Sequence, residues 1–153
     1  MLRSDIPVAL PCHLFIDYDD VAGIDCDQSP ADVGRFVIPF RCQVLLAGVV
    51  VTETCAGADA TPQIDFDLRP TAGGDGSRGA ADIAHFVLGT TAAGKVMYDE
   101  AAIGTELEPG EEVVVEVKVQ AAGVGAAGHV VPFLMVEYLP ETKANLTDMT
   151  ETT

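Results

Sequence analysis

The chain has 153 residues, 48% of them apolar, which is enough for one domain with a packed core and too apolar for a disordered chain. Its formal charge of −16, from 24 acidic and 8 basic residues, repels phosphate backbones and anionic lipid, so it argues against nucleic-acid and membrane-surface partners. Trp is absent and aromatics make up only 6%, so a core built largely from Ala and Val is expected, with small side chains and closely spaced strands.

Residues 1–33 hold Pro7, Pro11, Gly23 and Pro30 and read as an irregular N-terminal arm, with one short strand candidate at Cys12-His13-Leu14-Phe15-Ile16. The opening apolar stretch is broken by Pro7 and Pro11 and carries Asp5, which does not fit a secretory signal. A cytosolic origin is therefore expected. Under that expectation Cys12, Cys26, Cys42 and Cys55, which contain no Cys-x-x-Cys pair, read as buried free thiols rather than as disulfides or a zinc site. The acids Asp17, Asp19, Asp20, Asp25 and Asp27 could gather around calcium. The EF-hand spacing fails at Val21, however, and a solvated acidic loop is the simpler reading.

From Gly34 the chain turns to strand signals. The run from Phe36 to Thr52 is rich in β-branched and aromatic residues and is interrupted by Pro39 and Gly48, which predicts two consecutive strands or one long bent strand. In Gln63–Leu68, Ile64, Phe66 and Leu68 point one way, and Asp65 and Asp67 are expected to face water. A Gly-rich linker follows at 71–79, and then the apolar run Ile83-Ala84-His85-Phe86-Val87-Leu88.

The next stretch, Gly89-Thr-Thr-Ala-Ala-Gly94-Lys95, spells the opening of a phosphate-binding loop. That motif needs a hydroxyl after the Lys to hold magnesium, and a helix whose first amides bind the phosphates. Here Val96 follows the Lys, and Val96-Met97-Tyr98 reads as strand. The stretch is therefore a loop between two antiparallel strands, with Gly94 at a position that tolerates positive φ.

The clearest hairpin signal lies further on. Pro109-Gly110-Glu111-Glu112 opens a strand with Val113, Val115, Val117 and Val119 on one buried stripe and Glu116, Lys118 and Gln120 on a wet face. A Gly/Ala loop at 121–128 leads back into Val130–Tyr138, which is apolar on both faces in its middle. Either that sheet is covered on both sides, or one side meets another subunit. Residues 141–153 are polar and read as a C-terminal tail.

No long segment has helical periodicity, and about seven or eight strands can be counted. The expected fold is all-β: an antiparallel β-sandwich, jelly-roll-like, over 34–140, between the arm at 1–33 and the tail at 141–153. His13, His85 and His129 mark no catalytic pattern, and there is no Gly-x-Ser-x-Gly elbow. No catalytic, cofactor-binding or metal-binding residue is therefore assigned.

The segment from Gly94-Lys-Val-Met-Tyr98, through Leu107-Glu-Pro-Gly-Glu-Glu-Val-Val-Val-Glu-Val, to Tyr138-Leu-Pro resembles small β-sandwich structural proteins of tailed-phage virions. The resemblance spans residues 36 to 140 and carries no catalytic signature. It implies a non-enzymatic capsid decoration (cement) protein on the outside of the virion. Such a protein would be made in the host cytoplasm, would form homo-oligomers with a trimer favoured, and would bridge subunits of the major capsid protein. The alternatives are a head-neck or tail-associated accessory protein and a carbohydrate-binding β-sandwich module. The absence of Trp weakens the last, because sugar sites stack on exposed aromatics.

Overall fold

The computed structural model describes residues 7–14, 22–69 and 81–139. In chain order their strands are β1 (Val8–Leu10), β2 (Cys12–Leu14), β3 (Ile24–Asp25), β4 (Ala31–Val37), β5 (Cys42–Ala56), β6 (Gln63–Arg69), β7 (Ala81–Val87), β8 (Val96–Asp99), β9 (Glu106–Leu107), β10 (Glu112–Val119) and β11 (Ala127–Tyr138). The only helical piece among the described residues is a single 3-10 turn at Glu100–Ala102, capped by the Asp99 side chain.

The strands form two antiparallel sheets. One runs β1-β11-β5-β8, with β3 added on β11 and β9 on β5; the other runs β2-β4-β10-β6-β7. Successive strands change sheet at every step except from β6 to β7 and from β8 to β9. That winding is a jelly roll, the all-β sandwich expected from the strand pattern.

Between the sheets lies one core. Phe36, Phe66 and Phe86 come from the five-stranded sheet and stack in series, with ring centroids 5.7 Å and 5.1 Å apart. Val44, Val49, Val51, Leu134 and Val136 face them from the six-stranded sheet and are fully buried. Val113, Val115 and Val117 complete the stripe that alternation in β10 predicts, while the register slips before Val119, which is only half-buried.

Several local readings change. Pro39 does end β4, but Gly48 interrupts nothing: β5 runs unbroken through it for 15 residues. The loop at 120–126 is a corner rather than a hairpin turn. β10 pairs with β4 and β6, and β11 pairs with β1, β3 and β5 in the opposite sheet. The described part of 1–33 is woven into the sandwich. β1 and β3 flank β11, β2 flanks β4, and Leu10, Ile24 and Cys26 belong to the core. Asp17, Asp19 and Asp20, the linker at 71–79 and the tail at 141–153 lie outside the described residues.

All four cysteines are free: Cys26, Cys42 and Cys55 are buried and Cys12 half-buried.

Candidate functional site

The two outer faces of the sandwich have opposite chemistry. On the six-stranded sheet, alternate residues of β11 point outward as His129, Val131, Phe133, Met135 and Glu137. Their register partners on β5 are Glu53, Val50, Gly48, Leu46 and Gln43. The centre of this face is therefore apolar and its two ends are polar. His129 Nδ1 pairs with Glu53 at one end, and Gln43 donates to Glu137 at 3.0 Å at the other. The apolar centre continues onto β8, where Val96 pairs with Val50 and Tyr98 with Gly48. Val96 is 56% exposed, Tyr98 58% and Val131 42%. An apolar middle with a polar rim is the anatomy of a protein–protein interface.

The outer face of the five-stranded sheet is acidic and partly enclosed. Asp65 and Asp67 do lie opposite Ile64 and Phe66, but neither faces water: Asp65 is 1% exposed and Asp67 5%. Across the ladders Asp67 sits between Val114 of β10 and Asp82 of β7, and Asp65 between Glu116 and His85. Val114 and Glu116, on the face read as wet, are also buried. The exposure of this face differs from the expectation because it depends on neighbours brought by the two flanking strands, β7 and β10.

Basic side chains sit at the edges of this cluster. Lys118 Nζ is 3.3 Å from Asp65 Oδ2 and 3.9 Å from Glu116 Oε2, and His85 Nδ1 pairs with Asp65 Oδ1. Arg35 and Arg69 both hold Glu112. Asp67 receives no such partner. Its Oδ1 is buried without a hydrogen-bond donor, and its pKa is pushed up to about 7, first by burial and then by the adjoining Asp82 carboxylate. One carboxylate oxygen from each of Asp65, Asp67 and Asp82 lies within 4.8 Å of the other two. The sequence signal for this grouping is the Asp-x-Asp alternation of β6 together with an acid at the start of the strand that pairs with it.

The structure also places the remaining motifs. In the Gly89–Lys95 stretch Gly94 has φ +85°, as its turn position requires. The amides that a phosphate would need are already donated: Thr91 N–H to Leu88 O, Ala93 N–H to Thr54 Oγ1 and Gly94 N–H to Val51 O at 2.7 Å. β8 follows where a phosphate loop needs a helix, and the loop joins strands of different sheets. The Leu107–Glu112 segment is a tight turn that docks on the β4–β5 connection. Gly110 N–H donates to Ile38 O, Ile38 N–H donates to Glu111 O, and Arg41 pairs with Glu106 and Glu108. Asp25 and Asp27 form a local turn in which Asp27 N–H donates to Asp25 Oδ1 at 2.9 Å.

Compared with known proteins, the chain matches no protein family, no curated protein and no solved structure. Among the described residues no helix is long and apolar enough to cross a membrane.

Proposed function

We propose that this protein is a non-enzymatic structural protein of a tailed-phage virion, a capsid decoration protein that assembles with copies of itself and bridges capsid subunits. The observation that carries this reading is the apolar outer face of the six-stranded sheet, with Val96, Tyr98 and Val131 exposed at its centre and polar pairs at both ends. The resemblance of residues 36 to 140 to virion β-sandwiches supports the virion assignment and favours a trimer. The centre of the face carries no formal charge, so copies can meet there without bringing the acids of a −16 chain together. Burial of apolar area at about 25 cal/mol per Å² would drive the contact, and part of that gain offsets the ordering cost of association.

Co-sedimentation tests it. Shells lacking the protein are incubated with wild type and with a Val96→Ser/Tyr98→Ser/Val131→Ser variant, and the mass of each free protein is followed by light scattering. The wild type forms an oligomer and pellets with shells at fixed stoichiometry, whereas the folded variant is monomeric and stays in solution. Equal pelleting of the two would reject the role of this face, and a wild type that never pellets would reject the function.

A further inference from the structure

We propose that Asp65, Asp67 and Asp82 bind a hard divalent cation on the outer face of the five-stranded sheet. This site is independent of the apolar face and of the proposed assembly role.

Three carboxylates from two adjacent strands converge, and one oxygen of each lies within 4.8 Å of the others. An ion bound at about 2.1–2.6 Å places its ligand oxygens at separations of this size. The set is all-oxygen. The adjacent His85 is turned to Asp65 rather than into the group, so the chemistry suits calcium or magnesium rather than zinc.

The second observation is Asp67 itself. It is 95% buried by its 5% exposure, its Oδ1 has no hydrogen-bond donor, and its cross-strand neighbours are the apolar Val114 and the like-charged Asp82. A buried carboxylate in that setting is costly unless a cation or a proton compensates it. Lys118 does not serve this need, because its ammonium is committed to Asp65 and Glu116. Asp82, the exposed member, leaves the site open to an ion and to the waters that would complete six or more ligands.

The test uses the full-length protein stripped with chelator. Thermal unfolding is followed as Ca²⁺ or Mg²⁺ is added at constant ionic strength, for wild type, Asp67→Asn and Asp82→Asn. A site of three carboxylates binds on the order of 0.1–1 mM, so saturation raises the wild-type Tm by about 5 °C. The ion giving the larger shift identifies the size class. Both variants fold and lose the saturable shift. If neither ion shifts the wild type, or if Asp67→Asn shifts as much as wild type, the site is refuted, because the second result would mean only screening of a highly acidic chain.

Discussion

The ring of Phe133 lies over Gly48 across the β5–β11 ladder, on the outer face of the six-stranded sheet. A methyl group on Gly48 would stand 2.7 Å from Phe133 Cε1 and 2.5 Å from the Met97 carbonyl oxygen. The glycine is therefore needed for a close approach between three strands, and it gives the aromatic ring a flat seat. Gly48→Ala must displace either the ring or β8, and we expect it to cost about 2–3 kcal/mol. Chemical denaturation checks this: a midpoint equal to wild type would mean that β8 does not pack as described.

The pH response of the acidic face follows from Asp67. Its pKa is raised by burial to about 7, against an ordinary carboxyl near 3.8. Between these values the folded protein holds a proton that the unfolded chain has lost, so stability falls as pH rises through the window. Below about pH 4 both states are protonated and the penalty disappears. The groups that set this response are Asp82, Glu116 and Asp65, with Lys118 and His85 at the edge. In the presence of chelator, Asp67→Asn is expected to flatten the fall and to gain roughly 2 kcal/mol at pH 8, about half of the unscreened linkage value because Asp82, its main charged neighbour, is exposed and screened by solvent. Urea midpoints from pH 4 to 8 measure it, and parallel curves for the two proteins would contradict it.

The division between what the sequence shows and what it hides has a physical basis here. Alternation in β10 and β6 places Val113, Val115, Val117, Ile64 and Phe66 in the core, because a strand's two faces are a local property. The burial of Asp65 and Asp67 is not local. It arises where β6 is flanked by Val114 and Glu116 of the distant β10 on one side and by Asp82 of β7 on the other, a pairing that no single strand's alternation reports. The same limit explains the β10–β11 corner. A Gly-rich loop between two apolar strands serves equally for a turn within one sheet and for a crossing to the other, and only the pairing partners of each strand decide. Gly48 looks like a break in a strand until Phe133 is placed across from it.

Thiol chemistry gives a third expectation. Burial pushes Cys12 and Cys42 up to about 11, and Cys26 is raised by its hydrogen bond to Cys55 and by its own burial. At pH 8 a rise of two units lowers the thiolate fraction about 100-fold, so a thiol reagent should react far more slowly with Cys12 and Cys42 of the native chain than with a simple thiol, whereas Cys55 is lowered by its hydrogen bond with Cys26 and is not slowed in this way. In urea, without reductant, all four cysteines should react at once. Only two reactive thiols under those conditions would mean that a disulfide had formed.

Whether the protein is a stoichiometric part of a virion is tested most directly by quantitative mass spectrometry of gradient-purified virus particles. This chain is expected in fixed ratio to the major capsid protein, retained after high-salt washing, because the proposed contact is apolar rather than ionic. Absence from purified particles, or a trace amount that varies between preparations, would contradict it.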